Sequence, residues 1–174
     1  MSKKGLVHEK AYRGQTNEWY TPQYITDALG HFLLDPCAAV NRNRDIADKN
    51  YTIEDDGLSK EWNGRTWLNP PYGEQTKIWL ERMAKHNDGV VLIFARTDTK
   101  MFHRSIWPHA SGIFFFDGRL KFVDEQGESK NSAGAPSCLI SYDHIGTWTN
   151  YNAIRDSGLK GKFIGLRNFE NQKV

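Results

Sequence analysis

The run Val90-Val91-Leu92-Ile93-Phe94-Ala95 constrains the fold more than any other stretch of the chain. A strand with one face in water alternates apolar and polar residues, so an unbroken apolar run of this length reads as a strand covered on both faces. It falls far short of the ~18 residues that a membrane-spanning helix needs. Shorter runs of the same kind recur. Phe32-Leu33-Leu34 stops at Asp35-Pro36, Thr66-Trp67-Leu68 stops at Asn69-Pro70-Pro71, and Ile113–Phe116 and Cys138–Tyr142 follow later. Helical segments lie between them. Thr21-Pro22 supplies an N-cap and a first-turn proline, ahead of Ile25, Ala28, Leu29 and Phe32 on one face. A second helix is predicted from about Glu74 to Asn87, with Leu80, Met83 and Ala84 inward. Others are predicted over Lys100–His109 and Trp148–Asp156.

Strands alternating with helices predict an open α/β sheet with parallel strands. Asp117-Gly118, set between Ile113–Phe116 and Leu120–Val123, predicts a late antiparallel hairpin. Residues 1–16 are polar and basic and read as a flexible arm, residues 17–165 as one domain, and residues 166–174 as a tail. Nothing in Met1–Lys10 resembles a secretory signal. The two cysteines, Cys37 and Cys138, exclude a disulfide framework and a four-cysteine zinc site, and they read as reduced thiols of a cytoplasmic protein. The six histidines have no metal-ligand spacing, so no metal is expected. A net charge of +2 permits a nucleic-acid partner without arguing for one.

In such sheets, ligands sit at the carboxyl ends of the strands, where Asp35 and Asn69 both fall. Asn69-Pro70-Pro71-Tyr72 is the most informative tetrapeptide. Its prolines fix the backbone and remove two N–H donors. Free carbonyls are then left at the sheet edge beside an amide and a ring. The Asn69 side-chain oxygen and the Pro70 carbonyl can each accept one hydrogen of a planar group's NH2, and Tyr72 can stack on its plane, an interaction worth roughly 1–3 kcal/mol per base. Two such acceptors discourage delocalisation of the nitrogen lone pair and make it a better nucleophile. A rigid proline turn with a capping Asn is the plainer reading of the same residues.

Several stretches, in order, resemble the small phage-type DNA N6-adenine methyltransferases, which use S-adenosylmethionine. They are Glu18-Trp19-Tyr20-Thr21-Pro22, Leu34-Asp35-Pro36-Cys37-Ala38, Asp56-Gly57-Leu58 with Trp62, Trp67-Leu68-Asn69-Pro70-Pro71-Tyr72, Ala95-Arg96-Thr97-Asp98-Thr99, Gly118-Arg119-Leu120-Lys121-Phe122 and Ala135-Pro136-Ser137. The resemblance spans roughly Glu18 to Gly165. It implies a doubly wound, mostly parallel, seven-stranded Rossmann-like sheet. It also implies methyl transfer to the N6 of an adenine in DNA that has left the duplex, catalysed by Asn69, Pro70, Pro71 and Tyr72. Asp35, Pro36, Cys37 and Ala38 would wrap the methionine part of the cofactor, although many relatives carry glycines where Cys37-Ala38-Ala39 stands. Thr21 and Pro22 would meet the methionine carboxylate, Trp19 and Tyr20 the sulfonium or adenine, and Asp56 the adenine amino group. Asp48 is a weak candidate for the ribose.

Arg119 and Lys121 alternate with Leu120 and Phe122, so they share one face and can meet phosphates. Lys130 and Asn131 can reach phosphates or base edges. Only 32 residues separate Pro36 from Asn69, and they are expected to supply a helix, a strand and a loop. That leaves no room for a separate recognition domain. The expected partner is DNA, with no membrane and no metal, in a bacterial cytoplasm; the oligomeric state stays open. The same tetrapeptide also suits methylation of RNA adenine or of protein glutamine amides, or a degenerate relative that only binds nucleic acid.

Overall fold

The computed structural model describes residues 20–123 and 128–167, with the backbone alone at 129–131. The elements run α1 (Gln23–Leu29), β1 (Phe32–Asp35), β2 (Ala47–Asn50), β3 (Thr66–Leu68), α2 (Thr76–His86), β4 (Gly89–Phe94), α3 (Lys100–Ser105), β5 (Gly112–Phe116), β6 (Lys121–Val123), β7 (Ser129–Ser132), β8 (Ser137–Tyr142), α4 (Thr149–Arg155) and β9 (Gly161–Gly165). Seven strands form one sheet in the order β2-β1-β3-β4-β8-β5-β9. The first four are mutually parallel, whereas β8 is antiparallel to β4 and β5, and β9 is antiparallel to β5.

The apolar run is buried on both faces, as its composition predicts. Val91 and Ile93 join Leu34, Leu68, Ile113 and Ile140 in a core with Leu80 and Met83 of α2 and Phe102 of α3. Val90 and Leu92 join Phe32, Trp67, Phe114 and Leu139 in a second core with Ile25 and Leu29 of α1 and Ile154 of α4. Consecutive residues of a strand point to opposite faces, so one continuous apolar run feeds both cores.

Four expectations need correction. The Asp117-Gly118 hairpin does not form. β5 is hydrogen-bonded to β8 and β9, the Asp117 N–H donates to the Lys160 carbonyl (3.0 Å), and the chain leaves the sheet at Gly118 (φ 83°). β6 pairs instead with β7 in a separate two-stranded ribbon, joined to the domain by a bridge between Val123 and Tyr20. The reason lies in the residues. Ile113–Phe116 is apolar on both faces and suits a strand with a neighbour on each side. Arg119–Phe122 alternates and suits a half-buried ribbon. Second, no helix lies between Pro36 and Asn69; an irregular loop over residues 36–46 makes the parallel connection from β1 to β2, and turns and loop join β2 to β3. Third, Thr21 does not cap α1. Pro22 occupies the cap position without a side-chain hydrogen bond, and the helix begins at Gln23. Fourth, α3 ends at Ser105 rather than His109.

The end of the sheet where the parallel strands begin is closed by a polar network. The Asn150 side chain, fully buried, accepts from Arg65 Nε (2.8 Å) and donates to Asp88 Oδ1 (2.9 Å) and to the Tyr142 carbonyl (2.8 Å). The Asp143 carboxylate accepts from the backbone N–H groups of Asn150 (2.8 Å) and Tyr151 (3.0 Å), and so caps the first turn of α4. Replacing Asn150 by Ala strands three partners at once, the buried Tyr142 carbonyl and the half-buried Arg65 and Asp88 side chains. Asn150→Ala is therefore expected to lower the unfolding free energy by roughly 2–4 kcal/mol. Urea denaturation measures this, and a loss under about 0.5 kcal/mol would show that the network contributes little.

Candidate active site

β1 and β3 are parallel neighbours, with Leu34 opposite Thr66. Their carboxyl ends therefore deliver Asp35 and Asn69 side by side. A cavity of about 700 Å³ opens there. Its walls are Tyr20 and Thr21, the loop after β1, the segment from Thr52 to Leu58, the tetrapeptide Asn69–Tyr72, and Trp67 and Trp79. Of the residues singled out in the sequence, Tyr20, Thr21, Asp35, Pro36, Cys37, Ala38, Asp56, Asn69, Pro70, Pro71 and Tyr72 all line this one cavity. Pro22 lies next to the wall but not in it, and Trp19 lies outside the described residues.

Asp35 is only 4% exposed. Its Oδ1 accepts from the Cys37 N–H (3.0 Å), and its carbonyl accepts from the Tyr51 N–H (2.8 Å). Ala38 N–H donates to the Tyr51 carbonyl (2.8 Å), which fastens the loop to the chain beyond β2. Burial pushes the Asp35 carboxyl up to about 7, opposed by the Cys37 N–H and by the charge of Arg42. The Cys37 thiol, buried beside this acid, is pushed up to about 12, so it stays protonated and is no nucleophile.

The tetrapeptide is anchored at both ends. Asn69 Nδ2 donates to Thr21 Oγ1 (3.4 Å), and the Pro71 carbonyl accepts from Thr76 Oγ1 (2.7 Å) at the start of α2. The Pro70 carbonyl has no hydrogen bond within the described residues. Tyr72 stacks on Phe94 at the end of β4, with centroids 4.1 Å apart and planes 21° apart, and meets the edge of Phe122 at 6.5 Å. Its hydroxyl is buried with no hydrogen-bond partner among the described residues, and burial raises its pKa.

At the far wall, Asp56 sits at positive φ (51°) next to Gly57. A Cβ on Gly57 would lie 1.9 Å from the Pro36 carbonyl oxygen, so only glycine lets the two loops close on each other. Trp62 Nε1 donates to the Gly57 carbonyl (2.9 Å), and its ring stacks against Trp79 (6.1 Å, 25°). Of the three neighbouring acids, Asp56 alone lines the cavity. Asp55 is spent on the backbone N–H and hydroxyl of Thr52, which hold its carboxyl below the usual range. Asp48 bonds to His31 (2.7 Å) away from the cavity.

The alternation at residues 119–122 is as the sequence predicts: Arg119 and Lys121 are exposed, while Leu120 and Phe122 are buried. Phe122 ties this ribbon to Tyr72. Lys130 and Asn131 lie on β7, opposite β6. The sequence reading missed Arg42, Arg44 and Trp79, which also line the cavity. A polar loop rich in Asn and Arg looks like solvated surface, and Leu80, Met83 and Ala84 already define an apolar helix face without Trp79.

A family model, DNA N-6-adenine-methyltransferase (Dam), matches residues 9–155. The chain belongs to this family. No curated protein and no solved structure matches it. Membership makes it a DNA adenine methyltransferase, with DNA as its substrate. Among the described residues, no helix is long and apolar enough to cross a membrane, and no group of three His, Cys, Asp or Glu side chains is placed to hold a metal ion.

The buried acid of this methyltransferase has a measurable consequence. Its folded-state pKa lies above the unfolded value, so the folded protein retains a proton that the unfolded chain has lost, and stability falls as pH rises from 3.8 to about 7. Asn keeps the acceptor for Cys37 without the charge. Asp35→Asn is expected to stabilise the protein above pH 7, by at most about 4 kcal/mol, with the gain narrowing steadily towards pH 4. Melting curves across this range decide it; a gain independent of pH would contradict the raised pKa.

Proposed function

We propose that the protein transfers a methyl group from S-adenosylmethionine to the N6 amino group of adenine in DNA, after the base has left the duplex. The observation that carries this reading is the single cavity shared by the turn at Asp35 and by Asn69–Tyr72. The sheet, with helices on both faces, is read as the doubly wound Rossmann-like sheet of such enzymes.

The residues present fit the cofactor. A cavity of about 700 Å³ lies within the ordinary range for ligands of this size. Asp35 offers a buried carboxylate for the ammonium group, Asp56 an acceptor for the adenine amino group, and Leu58 and Trp79 apolar walls. When bound, S-adenosylmethionine supplies an electrophilic methyl group on a sulfonium. The protein's part is to hold the acceptor. The Asn69 side-chain oxygen and the Pro70 carbonyl each accept one amino hydrogen, which keeps the nitrogen lone pair out of the ring. Tyr72, braced by Phe94, presents a flat face to the base. N6 is hydrogen-bonded within the duplex, so the base must be extruded to reach this trap. Proximity and orientation then supply most of the rate. Arg119 and Lys121, with Lys130 and Asn131 opposite, would meet the DNA backbone beside the cavity mouth. The setting of this activity would be the cytoplasm of a bacterial cell, with a phage or prophage origin.

Asn69→Ala is expected to lower turnover at least about a hundredfold, a loss of roughly 2.7 kcal/mol of barrier stabilisation, with cofactor affinity retained. Tyr72→Phe should keep much of the activity, because its hydroxyl makes no bond within the described residues, whereas Tyr72→Ala should lose most of it. A labelled-methyl assay on DNA, RNA and protein reads both variants and the acceptor together. Label on RNA or on glutamine amides instead of DNA adenine, or wild-type rates for Asn69→Ala, would overturn the reading.

Ionic strength tests the other half of the proposal. Binding through phosphates should weaken steeply as salt rises. Arg119→Ala or Lys121→Ala should weaken affinity and flatten the salt slope by about one unit each. Unchanged slopes in titrations of labelled duplex would remove this ribbon from the interface.

A further inference from the structure

The geometry points to Arg44 as the anchor for the carboxylate of the cofactor's amino-acid end, an assignment that rests on the proposed use of S-adenosylmethionine. The family resemblance assigns this task to Thr21 and Pro22 at the start of α1. In the structure α1 has only seven residues, its cap position is Pro22, which has no N–H, and the Ile25 N–H is already bonded to the Pro22 carbonyl (3.1 Å). Two first-turn N–H groups, of Gln23 and Tyr24, remain without a hydrogen bond among the described residues, on a helix of two turns that carries no formal charge in its first turn.

Two arginines of the loop after β1 line the cavity, and their commitments differ. Arg42 is paired with Asp45 (2.6 Å) and also donates to the Ala39 carbonyl (3.1 Å), so it holds the loop together. Arg44 donates to the hydroxyl of Thr26, and among the described residues no carboxylate pairs with it. Thr26 is itself 4% exposed and donates to the Gln23 carbonyl (3.1 Å). This contact pins one edge of the guanidinium to the first turn of α1. A guanidinium has five N–H donors, so most of them remain for a ligand.

Asp35 stands on the same cavity with no cation hydrogen-bonded to it among the described residues. The cavity therefore presents an acid and an arginine, Asp35 and Arg44, neither of which is held in an ion pair among the described residues. Their natural complement is a zwitterion, with an ammonium for Asp35 and a carboxylate for Arg44. The planar fork of arginine suits a carboxylate better than the point charge of lysine does.

Titration calorimetry with S-adenosylmethionine and with its decarboxylated form separates this role from a merely structural one. Wild-type protein should bind the intact cofactor at least about tenfold more tightly than the decarboxylated form. Arg44→Ala should lose most of that preference by weakening the intact cofactor alone, leaving affinity for the decarboxylated form within about twofold. Arg44→Lys should recover part of the preference. Equal weakening of both ligands, or none, would overturn the assignment, as would a wild-type protein that does not distinguish them. Failure of wild-type protein to bind either ligand would instead overturn the cofactor reading itself.

Discussion

Everything at the site depends on two parallel strands ending together. β1 and β3 are hydrogen-bonded neighbours, and adjacent strands lie about 4.8 Å apart. The residue that ends β1 is Asp35, and the residue that follows β3 is Asn69. No loop has to be long or precisely folded to bring the acid and the amide to one edge, because the ladder does it. The prolines after each strand then stop it sharply. The chain turns away from the sheet at Pro36 and again at Pro70, and the space between the two departures is the cavity.

The remaining packing serves this edge. Helices on both faces bury the central strands, and the Asn150 and Asp143 network seals the opposite end with satisfied polar groups. At the open end, by contrast, the structure tolerates unfavourable features. Among the described residues, a buried carboxyl group has a single backbone N–H as its hydrogen-bond partner, and a buried tyrosine hydroxyl has none. Such groups cost free energy unless something compensates them, and they gather where a ligand is to be met. Phe94 and Phe122 add rigidity, since together they hold Tyr72 against the sheet while the segment that leads into and includes the strand of Phe122 carries Arg119 and Lys121 outward.

Much of this was legible in the residues, for physical reasons. Runs such as Val90–Ala95 read as covered strands by their shortness and β-branched content, so the sheet and its parallel half follow from local composition. Asp35 and Asn69 could be placed because each follows an apolar run and precedes proline. Partner choice was not legible. Asp117-Gly118 announces a turn, but only the demand of β5 for two neighbours decides that β6 must leave and β9 must take its place. β9 is mostly exposed, with no apolar run to betray it, and its end glycines are explained by the Phe115 carbonyl and the Phe114 ring at one end and by Tyr151 at the other, which crowd the positions where a Cβ would stand. The loop after β1 escaped for the same reason. It forms no helix, and Arg44 matters through a contact with Thr26 that is distant in sequence.

The central claim is that this cavity brings an adenine of DNA to a methyl donor. Mapping N6-methyladenine in the genome of cells that have no adenine methylation of their own, with and without this protein, tests it most directly. The account predicts N6-methyladenine in a short or relaxed sequence context, since it assigns base reading to short loops and the β6–β7 ribbon, and none when Asn69 is replaced by Ala. An absence of N6-methyladenine with the wild-type protein, or its persistence with the Asn69 variant, would contradict it.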